Sequence, residues 1–232
     1  MNLPYAAIMT LAVATGVVLS RRYQRPLGLS LAERVAIGLG AFCGAMIGAK
    51  APFLLADSTR LFSGVAWLSD GKTIMLGLVG GYLGVELAKW AMEIHVKTGD
   101  SFAVPAAAAV AVGRLACFAA GCCYGTPTSL PWGVRFEDGV LRHPTQLYES
   151  IFHATAAILL AWLWSRGTLR GHLIKLYILA YLGYRFATEF IRPEPQIWLS
   201  LTGYQWAALL LVPLFTYLWL RDSRSPASTA LE

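Results

Sequence analysis

The chain has 232 residues, of which 56% are hydrophobic and only 14% charged, with a formal net charge of +6. A soluble domain carries roughly 25% charged residues, so this balance excludes an ordinary soluble globule and points to an integral membrane protein. The positive charge is scattered through short segments rather than gathered in a dense stripe, which argues against nucleic acid as a partner.

A membrane-spanning helix needs roughly 20 apolar residues, and the chain offers seven such runs, at about 3–20, 31–56, 74–92, 103–120, 147–165, 173–191 and 203–220. The expected fold class is therefore all-α: a polytopic membrane protein with about seven transmembrane helices, forming one domain over 1–232. The start, Met1-Asn2-Leu3-Pro4-Tyr5, lacks the basic segment of a cleaved signal peptide. The first loop carries Arg21, Arg22 and Arg25. The second run contains Gly40, Gly44 and Gly48, a four-residue spacing of small residues that lets helices approach closely in lipid. Cys43, in the same run, reads as a buried small apolar residue. Arg60 and Lys72 lie in the second loop. The third run holds Gly77, Gly80, Gly81 and Gly84; Gly80 and Gly81 are candidates for a kink lining a lipid-binding groove, with helix packing as the alternative.

The fourth run ends in Gly113-Arg114-Leu115-Ala116-Cys117-Phe118-Ala119-Ala120-Gly121-Cys122-Cys123-Tyr124-Gly125. Arginine inside an apolar run is costly and is by default a functional hypothesis; its planar fork of donors fits a phosphate, and the alternative is an ion pair with Glu149 or Glu189. The spacing Cys-x4-Cys-Cys departs from usual zinc patterns, so no metal and no cofactor is expected. Packing is the preferred reading of these thiols, ahead of a reactive thiol or a disulfide. The following loop, about 121–146, is the longest, and Pro131–Phe136 in it suits an interfacial strand or turn.

The fifth run opens on Arg142-His143-Pro144-Thr145-Gln146-Leu147-Tyr148-Glu149. His143 is extended before Pro144 and is the side chain suited to proton transfer near neutral pH. Gln146 and Glu149 share a helical face from which Tyr148 is offset. His153 lies within the run as a buried residue with a partner, while His95 and His172 fall in loops and read as surface residues. In the sixth run Arg185 and Glu189 are four apart and pair internally, leaving Arg192 nearer the end as a second phosphate ligand. Arg166, Arg170 and Lys175 mark the fifth loop, and Arg221 and Arg224 the tail. Lys and Arg favour the odd loops and the C-terminus, which places those in the cytoplasm and the N-terminus, the fourth loop and Arg192-Pro193-Glu194-Pro195 outside.

These blocks resemble the prolipoprotein diacylglyceryl transferase family over about residues 72–220. The resemblance rests on Gly113-Arg114 through Tyr124-Gly125, on Arg142 through Glu149, and on Glu189-Phe190-Ile191-Arg192-Pro193-Glu194. It implies an enzyme of the bacterial inner membrane with seven spans and an active face toward the periplasm. Such an enzyme takes a diacylglyceryl group from phosphatidylglycerol and places it on the cysteine of a secreted lipoprotein precursor, without a cofactor. Carried over by position, Arg114 and Arg192 hold the lipid phosphate and His143 acts beside them. The residues expected to bind substrate are Gly80, Gly81, Gly125, Gln146, Tyr148 and Glu149, of which Tyr148 and Glu149 lie in the family's shared block. The chain departs from the family's pattern at Met75, where a histidine is usual, and at Cys117, Ala120 and Cys122, where asparagines and a glutamate are usual. The alternatives are a lipid-binding membrane protein that retains the fold without the chemistry, and a thiol-redox membrane protein.

Overall fold

The computed structural model describes residues 3–56 and 73–224; Arg60 and Lys72 lie outside the described residues. Among the described residues seven α-helices form: α1 (Leu3–Gln24), α2 (Leu31–Ala56), α3 (Ile74–Ala91), α4 (Asp100–Ala119), α5 (Thr145–Arg166), α6 (Leu173–Thr188) and α7 (Gly203–Arg224). All but α6 are long and apolar enough to cross a membrane. At 16 residues α6 spans about 24 Å, and the 3₁₀ turn Glu189–Ile191 extends it to the end of the expected sixth run. The chain divides into two compact units, one of Met1–Ser20 with Asp100–Glu232 and one of Arg21–Gly99. No change of composition marks either boundary.

In the unit of Arg21–Gly99, α2 begins at a reciprocal cap: the Ser30 backbone N–H donates to Glu33 Oε2 at 2.7 Å, and the Glu33 N–H donates to Ser30 Oγ at 3.3 Å. The helix then packs antiparallel on α3 through glycine. A Cβ added to Gly44 would meet the Gly80 carbonyl oxygen and come within 3.0 Å of the Gly84 Cα. A Cβ at Gly40 would meet the Gly84 carbonyl, and one at Gly48 that of Leu76. Backbone therefore lies directly on backbone, the arrangement that small residues four apart permit. Cys43 is exposed on the surface of α2 rather than buried.

In the larger unit, α4 packs on α5, and α6 packs on α7 and α4. The backbone N–H groups of Gly171 and Leu173 donate to the Asp100 carboxylate, which therefore sits at the N-terminus of α6, where an anion opposes the helix dipole. Lys175 donates to Asp222 near the end of α7 at 2.7 Å, so α4 starts, α6 starts and α7 finishes at one end of this unit. At the other end are two hairpins. β1 (Val134–Arg135) pairs antiparallel with β2 (Leu141–Arg142), and β3 (Gln196–Trp198) with β4 (Leu201–Thr202). The second hairpin turns through Leu199 and Ser200, with φ of 51° and 56°. Positive φ at both central residues is what a tight hairpin turn requires. Trp198 stacks on Trp206 with ring centroids 5.0 Å apart, and Trp206 donates to the Trp198 carbonyl.

Candidate functional site

Arg114 lies fourteen residues into α4, about 21 Å from its start. It is 6% exposed, deep beside the end of the helix that carries the two hairpins. Its Nε is 2.9 Å from Glu149 Oε2 on α5. The same carboxylate oxygen is 3.6 Å from Nη1 of Arg192, which follows the turn after α6. The Tyr181 hydroxyl of α6 donates to Oε1, the other oxygen of Glu149. One carboxylate, 2% exposed, thus gathers two guanidinium groups and a phenol drawn from three other segments of the chain. Arg114 Nη2 and Arg192 Nε are buried with no hydrogen-bond partner among the described residues. Buried donors of this kind are costly unless something accepts from them.

The backbone around this centre is held by the first turn of α5. The Gln146 amide donates to the Cys122 carbonyl at 2.6 Å, and the Thr145 hydroxyl to the Cys123 carbonyl at 2.8 Å. Arg192 Nη2 donates to that same Cys123 carbonyl at 3.3 Å. Helix α4 ends at Ala119; Gly121 with φ 63° and Cys123 with φ 61° then reverse the chain. Left-handed backbone is easy for glycine and strained for cysteine, so the contacts on the two carbonyls are what keep Cys123 there. The reversal brings the sulfurs of Cys117, Cys122 and Cys123 within 4.8 Å of one another. Hydrogen bonds from the Cys117 and Cys122 thiols, helped by the charges of Arg114 and Arg192, hold the Cys123 thiol below the ordinary thiol range.

A second ion pair lies on α6. Arg185 Nη2 is 2.9 Å from Glu189 Oε2, and the Thr202 hydroxyl donates to Glu189 Oε1 at 2.9 Å. The Arg185 guanidinium also sits 4.5 Å above the Tyr204 ring. Arg185 thus has a carboxylate and an aromatic face of its own, as its four-residue spacing from Glu189 predicts.

His143 stands at the neck of the loop between α4 and α5. Its Nδ1 is 3.4 Å from the Tyr148 hydroxyl, which accepts from Trp132 Nε1 at 2.9 Å. Tyr148 is thereby turned toward the loop, while Gln146 and Glu149 face the interior. Gly125 locks this neck: its N–H donates to the His143 carbonyl, and the next N–H, of Thr126, donates to the Ile191 carbonyl. A Cβ on Gly125 would stand 2.6 Å from Ile191 O and 2.8 Å from His143 Cβ. Only glycine lets the segments after α4, before α5 and after α6 meet so closely.

Gly80 and Gly81 belong to α3, where both pack on α2: Gly80 against the backbone of Gly44 and Gly48, Gly81 against Ala41 and Ala45. Helix packing accounts for their spacing. Met75, at the start of the same helix, is buried. His153 is fully buried and bonds through Nδ1 to the Tyr177 hydroxyl at 2.8 Å. The sequence reading missed Tyr181. The signal for it is a repeat: Tyr177, Tyr181 and Tyr184 recur at intervals of four and three in an apolar helix, and buried phenols need partners.

Taken together, the arrangement offers an anion two fixed guanidinium groups with spare donors. It offers a reacting group an imidazole in the neighbouring loop. The family model described as prolipoprotein diacylglyceryl transferase matches residues 3–221. Among individual proteins, the chain is 30% identical to the phosphatidylglycerol–prolipoprotein diacylglyceryl transferase of Clostridium tetani over 202 residues, covering 83% of this chain and 81% of that protein. It is 36% identical to the protein of the same name from Solidesulfovibrio magneticus over 166 residues, 65% of this chain and 62% of that one. It is 32% identical to that of Nitratidesulfovibrio vulgaris over 194 residues, 78% and 71% of the two chains.

Proposed function

This chain belongs to the prolipoprotein diacylglyceryl transferase family, and from that premise we propose that it moves a diacylglyceryl group from phosphatidylglycerol to the cysteine thiol of a secreted prolipoprotein. The observation that carries the reading is the convergence of Arg114 and Arg192 on Glu149, with donors left over at Arg114 Nη2 and Arg192 Nε. In the step proposed, the acceptor sulfur attacks the glyceryl carbon that bears the phosphate ester. The S–C bond forms as that C–O bond breaks, and glycerol phosphate departs with one more negative charge than the phosphodiester had. Arg114 and Arg192 bind the phosphodiester and neutralise the charge that develops on it; fixed donors aimed at developing charge are the strongest catalytic device available in a site that excludes water. Guanidinium suits the task because it stays charged when buried and presents paired donors to paired oxygens.

His143 takes the acceptor's proton, directly or through the Tyr148 hydroxyl beside it. Glu149 and Tyr181 are positioning residues: they hold the two forks at a fixed separation. Gln146 and Gly125 shape the backbone that presents Arg192. Placement in the bacterial inner membrane, with the N-terminus and both hairpins on the periplasmic side, is supported by the charges at the opposite end, Arg166 and Arg170 before α6 and Arg221 and Arg224 at the end of α7.

The direct test is incubation of the purified protein with acyl-labelled phosphatidylglycerol and a peptide containing a lipobox cysteine. The expected result is a peptide heavier by one diacylglyceryl group, with glycerol phosphate released in equal amount. Folded protein that yields neither product overturns the reading.

A further inference from the structure

We propose that Cys117, Cys122 and Cys123 form a three-thiolate site for a soft cation with a filled d shell, zinc(II) being its occupant. Cysteines spaced one, five and six apart do not follow a zinc motif, but the fold supplies what the spacing lacks. The reversal at Gly121 and Cys123 folds two sulfurs back over the last turn of α4, where the third resides. Cys122 Sγ and Cys123 Sγ are 3.8 Å apart, and all three sulfurs lie within 4.8 Å of one another. A zinc–sulfur bond of about 2.3 Å separates coordinating sulfurs by about 3.8 Å in a tetrahedron and about 4.0 Å in a trigonal plane. Side-chain adjustments of less than an ångström therefore seat the ion.

The surroundings are built as a support for such a site. Arg114 Nη1 donates to Cys117 Sγ at 3.6 Å, a hydrogen bond from outside the ligand set that fixes the sulfur and offsets thiolate charge. The backbone carrying the other two sulfurs is clamped by Gln146 at the Cys122 carbonyl and by Thr145 and Arg192 at the Cys123 carbonyl. Thiolate donors select soft cations over magnesium or calcium. Cys123 is exposed, so the site can be reached from solvent. Binding replaces the protons the three sulfurs carry with three S–metal bonds and releases those protons to solvent.

The test uses the reduced, metal-free full chain in detergent, titrated with cadmium(II) as the probe and followed by thiolate-to-cadmium charge-transfer absorbance. The expected result is saturation at one cadmium per chain and displacement by zinc(II). Cys117→Ser and, separately, Cys123→Ser each weaken binding at least about tenfold. Cys43→Ser leaves the titration unchanged. Circular dichroism confirms that each variant is folded, and if one is not, the other carries the comparison. A titration insensitive to all three cysteines, one that depends on Cys43, or the lack of any saturable band overturns the site. Diacylglyceryl transfer is measured separately in metal-free buffer, so either proposal can fail without the other.

Discussion

Arg114 and Glu149 face each other from adjacent helices with 2.9 Å between Nε and Oε2, and this pair sets the geometry of everything around it. The carboxylate is shared with Arg192 at 3.6 Å, so neither arginine is neutralised by a partner of its own. Two positive charges against one negative leave a net attraction for a monoanion, and that attraction strengthens as a leaving phosphate gains charge.

On the mechanism proposed above, replacing either arginine removes a contact made to the transition state. Arg114→Ala and Arg192→Ala are each expected to lower turnover by about 10²–10³-fold or more. Arg114→Lys is expected to restore little, because an ammonium lacks the fork. Initial rates with phosphatidylglycerol and a lipobox peptide measure this. Full turnover by folded Arg114→Ala would remove phosphate binding by that residue.

Arg185→Ala is expected to act on stability rather than on chemistry. It leaves the Glu189 carboxylate with the Thr202 hydroxyl as its remaining described partner, and breaking a buried pair typically costs about 3–5 kcal/mol. The melting temperature in detergent should fall sharply while the folded fraction keeps its turnover rate. The double change Arg185→Met with Glu189→Gln should recover much of the loss, because no uncompensated charge remains.

Tyr181→Phe deletes one donor to Glu149 without changing shape. A loss of about 1–2 kcal/mol in unfolding free energy is expected, the upper range for a hydrogen bond between membrane helices. Turnover should fall less than in Arg114→Ala, since both guanidinium groups remain. Chemical denaturation alongside rate measurements separates the two effects, and an unchanged midpoint would mean the phenol contributes nothing to holding Glu149.

Gly125→Ala places a methyl group against Ile191 O and His143 Cβ. The expected cost is about 1–3 kcal/mol, as for other overpacked positions, and because three segments meet there, turnover should fall together with stability. A variant with wild-type melting behaviour would show that the neck yields more easily than its contacts imply.

Orientation is open to labelling. Single cysteines introduced as Leu130→Cys and Thr168→Cys, in a chain whose own cysteines are replaced by serine, are expected to differ in intact cells. The first should react with an impermeant maleimide and the second should not, following the excess of arginine beside position 168. Labelling at 168 from outside would reverse the assignment.

The seven helices were legible because a span is set by the length of an apolar run, and that survives in the sequence whatever the packing. Arg114, Glu149 and the Arg185–Glu189 pair were legible because charge in an apolar helix stands out and helical spacing names its neighbours. Burial was not. Cys43 reads as interior yet is exposed, because a membrane helix is apolar on its lipid face as well as its packed face, so hydrophobicity no longer distinguishes inside from outside. Tyr181 was missed for the same reason: a phenol within an apolar run shows neither where its hydroxyl points nor what accepts from it. The gathering of the three thiols depends on two left-handed residues, and at Cys123 no residue preference announces one.

The glycine seam between α2 and α3 bears on how this protein responds to change. Contact at these glycines is made by peptide backbone on peptide backbone, which cannot swing aside as a side chain can. Its tolerance of mutation should be very uneven. At Gly40, Gly44, Gly80 and Gly84 even alanine, the smallest addition available, meets a carbonyl group, whereas the exposed side chains of Phe42 and Leu83 on the same two helices have room to vary. A saturation scan across this pair would therefore trace the seam as a narrow line of sensitive positions bordered by permissive ones, drawn by shape alone.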